Sequence, residues 1–374
     1  MELSDEQAAV RDVVREFARE EIRPAAAEAD RTETFPEDVW DGLAELDLTG
    51  LTVPEEYGGY DADPVTYAVV NEEIAGGALA VATALSVHCL ATSCLAEFAT
   101  DEQQERWLPE MARGRPVGAF ALSEPHAGSN PAEMSTEARR DGDEYVIDGE
   151  KQWITNGQRA GVIVLFAKTD RDDPDSITQF LVPADADGLT VGEKEDKLGL
   201  RASDTTALTF DGVRIPAENR LTEEGRGLSA AFEILTDGRI GIAAQSVGLA
   251  AHALEEALAY SQEREQFGEP ISEIQTIRHK LAEMATQTEA ARQLTRYAAR
   301  QRTAGDGALA ASMAKYFASE AAMAVTNEAV QIHGGYGYVS EFDVERLYRD
   351  AKITEIYEGT TEIQKTIIAR TLLE

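Results

Sequence analysis

Glu358 has the sequence context of a general base. It stands in the segment Thr354–Thr361, where Gly359 allows the backbone to turn sharply beside it. Thr361 and Gln364 have the spacing of a capping box, which predicts that a helix begins at this corner. A carboxylate held there among apolar neighbours is partly desolvated, and its pKa rises toward that of a usable base. The alternative is an ordinary surface glutamate, because the chain has 69 acidic residues.

Two segments in the middle of the chain contain groups suited to a polar heterocycle or a phosphate. The segment from Phe120 to Asn130 is interpreted as a strand end followed by a loop rich in Gly, Pro and Ser, whose hydroxyls and amides can form hydrogen bonds. The segment from Trp153 to Gly157 places a tryptophan on a strand. Taken alone, these patterns favour an ordinary hairpin loop and a tryptophan used in core or cross-strand packing.

The last third of the chain contains two candidate sites for a phosphorylated ligand. Arg264 lies between two predicted long helices, and the fork of an arginine can donate two hydrogen bonds to a pyrophosphate. The segment Gln331–Gly337 is rich in glycine, which removes side chains where a ligand passes the backbone. The alternatives are a solvated arginine at a helix end and a structural His333.

The composition excludes several classes of protein. The 374 residues have 43% hydrophobic content and a net charge of -35, so a nucleic-acid partner is disfavoured. No apolar run approaches the roughly 20 residues that span a bilayer. The first six residues lack the features of a signal peptide, and we expect a cytoplasmic protein. The acidic surface suggests a halophilic source, since salt screens the repulsion between like charges.

Cysteine and histidine usage argues against a metal or disulfide framework. The two cysteines, Cys89 and Cys94, lie in a predicted helix and are interpreted as buried free thiols. The five histidines are scattered, so no metal site is expected.

The elements that must position these residues follow the order helical, β, helical. Helical spacing dominates to about Arg115, and Pro24 closes or kinks the first helix. Strand patterns run from Ala119 to about Leu221, with Asp148-Gly149 as a predicted hairpin turn. From Gly227 onward, alanine-rich faces predict long helices in a bundle.

Read together, these segments resemble the acyl-CoA dehydrogenase family in nearly the whole chain. Ile356-Tyr357-Glu358-Gly359-Thr360 is similar to that family's C-terminal signature, and the other segments occur in the family's order. The resemblance implies an α+β multidomain fold. Its parts would be an N-terminal all-α domain (1–118), a middle antiparallel β-barrel-like domain (119–226) and a C-terminal four-helix bundle (227–374).

The resemblance also implies an FAD cofactor and an acyl-CoA substrate. The residues expected to bind FAD are Phe120, Leu122, Ser123, Trp153, Ile154, Thr155, Arg264, Phe267, Gln275, Gln331, Ile332, Gly334, Gly335, Thr360 and Glu362. The residues expected at the substrate are Ser129, Thr236, Arg239, Tyr357 and Gly359. Three positions depart from the family's usual residues: Ser123 for threonine, Asn130 for aspartate and Thr236 for aspartate.

The implied reaction is α,β-dehydrogenation of an acyl-CoA thioester to the trans-2-enoyl-CoA. Glu358 would abstract the α-proton, flavin N5 would accept the β-hydride, and the Glu358 N–H with a ribityl hydroxyl would polarise the carbonyl. Some relatives place the base on the helix before Arg239, where this chain has Gly238. We expect short or branched acyl chains, since the pocket floor would contain the small residues Ala82, Thr83 and Ser86.

The implied partners are an electron-transfer flavoprotein and further copies of the chain, in a homotetramer or dimer that shares each FAD site between subunits. Two alternatives stay open. One is a flavoenzyme of the same fold with other chemistry, such as an acyl-CoA oxidase or a nitroalkane oxidase. The other is a non-catalytic interaction protein, against which the net charge of -35 argues when the partner is DNA.

Overall fold

The N-terminal part is helical in the computed structural model, which describes residues 3–305 and 307–373. Met1 and Glu2, part of the segment behind the cytoplasmic expectation, lie outside the described residues. Six α-helices precede the first strand: α1 Asp5–Phe17, α2 Arg23–Thr32, α3 Glu37–Glu45, α4 Pro64–Gly77, α5 Leu79–Phe98 and α6 Asp101–Ala112.

The helical conformation of the first segment does not end at Pro24. A π-helical turn, Ala18–Ile22, joins α1 directly to α2, and Pro24 lies in the first turn of α2, where its missing N–H leaves no donor unsatisfied. Ser4 and Gln7 form a capping box at the start of α1, with the Gln7 N–H donating to the Ser4 hydroxyl at 3.1 Å. The apolar face of α1 packs on α4.

The middle part is a seven-stranded sheet with a buried core on its inner side. Its strands lie in the order β1-β4-β2-β3-β7-β6, with β5 paired to β4. Most pairings are antiparallel, as predicted, but β1 and β2 each pair with β4 in parallel. The strands are β1 Val117–Ala121, β2 Glu137–Asp141, β3 Glu144–Ile154, β4 Ala160–Lys168, β5 Ile177–Pro183, β6 Leu189–Lys194 and β7 Thr206–Pro216.

The predicted hairpin turn at Asp148-Gly149 is wrong. β3 runs through this dipeptide with only a register shift against β7, and the turn lies before it, between Asp141 and Glu144. Gly149 is needed for a different reason, because a Cβ there would lie 2.6 Å from the hydroxyl of Thr136. The glycine therefore marks a close approach inside the sheet.

The C-terminal part is a helical bundle, as predicted. Three long helices pack on one another, and a two-stranded hairpin at Glu265–Pro270 follows the first. Gly248 lets this bundle approach the N-terminal helices, since a Cβ there would lie 2.0 Å from the carbonyl oxygen of Glu72 on α4. The helices are α7 Gly227–Glu263, α8 Gln275–Thr303, α9 Ala308–His333, α10 Val344–Thr354 and α11 Thr361–Leu373.

Cys89 and Cys94 are buried free thiols, as predicted. Burial raises the pKa of the Cys89 thiol to about 12. No group of three potential metal-binding side chains occurs among the described residues. Within residues 3–305 and 307–373, one helix, α5, is long and apolar enough to cross a membrane, but 83% of its apolar window is buried inside the protein, as in a core helix.

Candidate active site

Glu358 lies at a sharp corner between two helices. α10 ends at Thr354, α11 begins at Thr361, and Glu358 takes a left-handed conformation with φ of 55°, followed by Gly359 at 91°. The helix start at Thr361 is as predicted, but the capping box is wrong. Thr360 caps the helix instead, since the Ile363 N–H donates to its hydroxyl at 3.4 Å.

The side chain of Gln364 supports this corner instead of capping the helix. Its Nε2 donates to the carbonyl oxygens of Glu358 at 3.1 Å and Gly359 at 3.0 Å. A left-handed conformation is unfavourable for a residue with a Cβ, so contacts of this kind must hold it. Through Gln364, α11 therefore holds the backbone conformation of Glu358 and Gly359.

The Glu358 carboxylate is directed into a confined space against α7. Its Oε2 is buried and has no hydrogen-bond partner within residues 3–305 and 307–373. A Cβ added to Gly238 would lie 2.7 Å from Oε2 and 3.3 Å from Cδ2 of Leu90. Burial raises the pKa of Glu358 to about 7, against the opposing charges of Arg239 and Lys315. The group is thus desolvated and suited to take a proton near neutral pH.

Two buried cations face this carboxylate from different helices. Arg239 on α7 is only 8% exposed, and its Nε has no partner in the described part of the chain. Burial lowers the pKa of Arg239, whereas the Glu358 charge raises it. Lys315 on α9 is fully buried and donates to the carbonyl oxygen of Gly359 at 2.8 Å. Burial lowers its pKa to about 8.

A polar network lies beyond the carboxylate along α7. Gln245 receives a hydrogen bond from the Tyr357 hydroxyl at 3.1 Å and donates to Asn71 at 2.9 Å. Thr83 lies 3.5 Å from both the Tyr357 hydroxyl and the Gln245 side-chain oxygen.

Gly241 lies between this network and Gly238. A Cβ on Gly241 would lie 2.9 Å from the hydroxyl of Tyr67, which itself lies 3.2 Å from the hydroxyl of Ser86. Ala82, Thr83 and Ser86, the residues predicted near the pocket floor, are buried beside this stretch of α7, one to two helical turns from Gly238. Their role at a substrate pocket stays a prediction.

Thr236 is buried on α7, and its hydroxyl donates to the carbonyl oxygen of Phe232 in its own helix at 3.1 Å. With that donor engaged, the hydroxyl can only accept a hydrogen bond from a ligand. Ser129 is exposed, on the loop that follows β1.

The tryptophan of the β domain is not a core residue. Trp153 is 61% exposed and has a positive φ of 62°, which turns its ring out of the sheet. Its neighbour Ile154 is 1% exposed and packs in the sheet core, so only its backbone can contact a ligand. The exposed indole offers a flat apolar face on a strand, which is consistent with the flavin that the resemblance implies.

A buried ion pair connects this strand to the loop after β1. The ammonium of Lys151 donates to Glu124 at 2.9 Å and to the carbonyl oxygen of Leu122 at 3.0 Å. The Gln152 N–H donates to the backbone carbonyl oxygen of Ser123 at 2.9 Å. Burial would raise the pKa of Glu124, but the Lys151 charge lowers it to about 2.

The other expected residues of this surface lie nearby. Phe120 packs on Phe166 with ring centroids 4.7 Å apart, and the rest of its side chain is partly exposed. Asn156 holds Thr155 in place through hydrogen bonds to Ala84 at 2.9 Å and Gly118 at 3.1 Å. The predicted group of Phe120, Leu122, Ser123, Trp153 and Thr155 therefore occupies two adjoining segments.

A separate groove of about 830 Å³ lies in the C-terminal part. Five expected FAD-binding residues line it: Arg264, Phe267, Ile332, Gly334 and Gly335. All of its lining residues lie between positions 260 and 341, so neither Glu358 nor Trp153 belongs to it. One chain thus carries two separate candidate surfaces.

Individual residues at this groove differ in how they are presented. Phe267 is 96% exposed at the tip of the hairpin, with a positive φ of 58°. Arg264 lies over the ring of Tyr336 at 5.6 Å. His333 stacks on Tyr260 at 4.1 Å and bonds to Ala329, which supports its structural interpretation.

The remaining expected FAD-binding residues lie at helix ends. Gln275 and Gln331 are exposed at the start of α8 and the end of α9, and neither lines the groove. Thr360 and Glu362 lie at the start of α11, beside the Glu358 corner.

Sequence reasoning missed Lys315, Gln245 and the Lys151–Glu124 pair. A usable signal existed for Lys315, because it is a lone lysine on the alanine-rich face formed by Ala311, Ala318 and their neighbours. Nothing local distinguishes Gln245 from other polar residues of a long helix.

Comparison with known proteins assigns the three parts of the chain in order. Residues 4–115 match the acyl-CoA dehydrogenase N-terminal domain, 119–213 the middle domain and 225–373 the C-terminal domain. An acyl-CoA dehydrogenase of Bacillus subtilis is 46% identical over 376 residues, covering 100% of this chain and 99% of that protein.

Two solved structures are similar over the whole chain. Butyryl-CoA dehydrogenase from Megasphaera elsdenii has a TM-score of 0.97 and 40% identity, with 100% of both chains covered. A chain in the work on the electron transferring flavoprotein of Acidaminococcus fermentans has a TM-score of 0.98 and 40% identity, covering 100% of this chain and 99% of that one.

Proposed function

From the premise that this chain belongs to the acyl-CoA dehydrogenase family, we propose that Glu358 is the base of its reaction. The chain is an FAD-dependent acyl-CoA dehydrogenase, as its relatives are. The observation that carries the assignment of the base is the buried Oε2 of Glu358, which faces Gly238 and lacks a hydrogen-bond partner among the residues that the structure describes.

The residues present fit a flavin. Trp153 offers an exposed indole face, and the segments around Ser123 and Thr155 offer hydroxyls and backbone groups beside it. Arg264 and the backbone at Gly334 and Gly335 offer a cation and an open groove suited to a pyrophosphate. When bound, FAD supplies the hydride acceptor of the dehydrogenation.

In the reaction, Glu358 takes the α-proton of the thioester onto its carboxylate. Oε2 lies in close contact with α7 at Gly238 and has no hydrogen-bond partner among the described residues, so it is free to take this proton. The N–H of Glu358 takes part in none of the hydrogen bonds of the described residues and can donate to the thioester oxygen. Arg239 and Lys315 lower the pKa of the carboxylate against the larger effect of burial, which raises it.

Replacement of Glu358 with glutamine tests this assignment. E358Q should retain FAD but lose turnover, and the anaerobic protein should stay yellow when an acyl-CoA is added. The matched control is E320Q, because Glu320 is an exposed glutamate paired with Lys365 on the bundle surface. A fully active E358Q would refute the assignment.

We propose short acyl chains as substrates. Gly238 lies beside the base, and Gln245 lies seven residues further along α7, or about 10 Å at 1.5 Å per residue. Gln245, Thr83 and Tyr357 close the space with a hydrogen-bonded polar wall, which is unfavourable for a long alkyl chain. Similarity to a butyryl-CoA dehydrogenase supports the same range.

A panel of acyl-CoAs tests the chain length. Anaerobic bleaching should be fastest with butyryl-CoA, slower with octanoyl-CoA and slowest with lauroyl-CoA, and isobutyryl-CoA and isovaleryl-CoA would reveal a branched preference. Gln245→Ala should shift the order toward longer chains, because it removes part of the wall. A preference for lauroyl-CoA in the unaltered protein would contradict the proposal.

We also propose that two subunits share each FAD site, in a dimer or tetramer. The support is the separation of the two candidate surfaces: the groove at Arg264 and Phe267 contains no residue from the β domain. An electron-transfer flavoprotein is the proposed electron acceptor, in line with the similar chain described above. Phe267→Asp should dissociate the assembly and release FAD, as measured by light scattering and flavin absorbance.

We also propose that the protein is cytoplasmic and comes from a halophilic source, whose high salt would screen the net charge of -35. Its thermal unfolding midpoint should then rise as KCl is increased toward about 1 M, where the Debye length is about 3 Å. Maximal stability in dilute buffer would contradict this. Domain boundaries after 118 and 226 are supported by the end of α6 at Ala112 and the start of α7 at Gly227.

A further inference from the structure

Lys315 is a fully buried lysine in an alanine-rich helix. It lies in α9 with the buried residues Ala311, Ala314 and Ala318 around it, and it is 0% exposed. Lysines are almost never buried without a partner, since removing an ammonium from water is costly. Its hydrogen-bond acceptor here is the carbonyl oxygen of Gly359 at 2.8 Å. An alanine at this position would fit the helix face at no such cost.

The acceptor is the residue that follows the base. Glu358 has a left-handed backbone, and Gly359 continues it with φ of 91°. Lys315 approaches this turn from α9, whereas Gln364 approaches it from α11 and donates to the same carbonyl oxygen at 3.0 Å. Two donors from two helices therefore fix the orientation of one peptide group. That peptide group, Gly359–Thr360, is next to the one that carries the Glu358 Cα, whose carbonyl oxygen accepts from Gln364 at 3.1 Å, so both peptide groups after Glu358 are held.

The charges around the carboxylate come from several elements. Arg239 faces Glu358 from α7 and Lys315 faces it from α9, and both lower its pKa against the effect of burial. The negative charge of Glu358 also raises the pKa of the hydroxyl groups of Tyr67 on α4 and of Tyr357. Lys315 is in turn influenced by Glu358, Glu355, Arg239 and Glu362.

We propose that Lys315 is a positioning residue for the base: its ammonium holds the Gly359 carbonyl oxygen, and its positive charge favours the ionised form of Glu358. Arg239 does not hold the corner in this way, because no hydrogen bond within the described ranges joins it to Glu358 or Gly359. Lys315 has this role only if Glu358 is the base, so the inference rests on the proposed function.

The test separates charge from hydrogen bonding. Lys315→Met removes both, Lys315→Gln keeps a donor without the charge, and Lys315→Arg keeps both. Lys365→Met is the matched control, because Lys365 is half-exposed and paired with Glu320 on the surface. Each holoprotein is assayed for FAD content and for the pH dependence of kcat/KM, which reports the pKa of the free enzyme's base.

Removing the positive charge raises the pKa of Glu358. The acidic limb of the profile should therefore move up by about one pH unit in K315M and K315Q, since an opposite charge nearby shifts a carboxyl by about 1–3 units. At a pH below both values the rate should fall roughly tenfold. K315R and K365M should keep the limb where it is. K315M should also have a lower plateau than K315Q, because only K315Q can still donate to Gly359.

A second readout does not need turnover. The pH-difference infrared spectrum of the holoprotein contains the carboxylic acid band of Glu358, identified by its absence in E358Q. In K315Q this band should persist to higher pH by the same shift. If K315M does not fold, K315Q and K315R still decide the question.

An acidic limb and an infrared band that do not move in the charge-free variant would overturn the role of Lys315. An active E358Q would instead overturn the base itself, so the two failures are distinguishable.

Discussion

Replacing Gly238 with alanine should lower activity while the fold stays intact. A methyl group there would lie 2.7 Å from Oε2 of Glu358, whereas ordinary contact begins at 3.4 Å. The carboxylate must therefore retreat by the difference, 3.4 − 2.7 = 0.7 Å, and Cδ2 of Leu90 at 3.3 Å must give by a tenth of an ångström. Both are ends of side chains, so the backbone need not move.

The size of the effect follows from this displacement. A misplacement of about 1 Å at a reacting group costs about 100-fold in rate, so a shift of 0.7 Å should reduce kcat/KM by roughly 10- to 100-fold. Stability should move in the other direction. A glycine inside a helix is about 0.5–1 kcal/mol less favourable than alanine, and Gly238 lies within α7.

Two measurements on the holoprotein check this prediction: kcat/KM with butyryl-CoA and the urea midpoint. Gly76→Ala is the matched control. It lies in helix α4, and its added Cβ would make only an ordinary contact of 3.6 Å with Gly248. G76A should keep full activity. A G238A protein as active as the unaltered chain would refute the placement of the carboxylate against α7.

Three further predictions concern stability. Burial raises the pKa of Glu358 to about 7, so the folded state holds this proton more tightly than the unfolded state, and the free energy of unfolding falls as pH rises from about 4.5 to 7. In urea titrations at alkaline pH, E358Q should therefore be more stable than the unaltered protein by up to about 3 kcal/mol. An unchanged urea midpoint would contradict this prediction. Lys151→Met should lower the free energy of unfolding by about 3 kcal/mol and reduce FAD retention, because it leaves Glu124 buried without its cation. Lys352→Met should change neither quantity, because Lys352 lies at the surface. Gly359→Ala should cost about 1 kcal/mol from its left-handed φ and more from a 2.7 Å contact with Gln364. Its urea midpoint should therefore fall below that of Gly142→Ala, which also has a positive φ (66° against 91°) but open space around the added Cβ. Equal losses would contradict the role of the Gln364 contact.

The sequence predicted the features that depend on neighbours along the chain. The helix start at Thr361 follows from local residue types, and so do the buried cysteines of α5. The order of helical and β parts follows from periodicity. These are short-range properties, and a sequence displays them directly.

The errors arose where another element sets the requirement. Asp148-Gly149 has the composition of a turn, but the glycine is there because Thr136 of a neighbouring segment leaves no room for a Cβ. Gln364 has the spacing of a cap, but the peptide groups at Glu358 and Gly359 attract its amide. Lys315 lies 43 residues before Glu358 in the chain, so no local pattern connects them.

The contact between Gly238 and Glu358 also limits how such an enzyme can evolve. One point in space is reachable from α7 and from the corner before α11, but the two side chains cannot occupy it together. A lineage that moved its carboxylate from one helix to the other would have to pass through a form with a crowded site or with no base. The location of the base would then be inherited as a pair of residues, a glutamate at one position and a vacancy at the other.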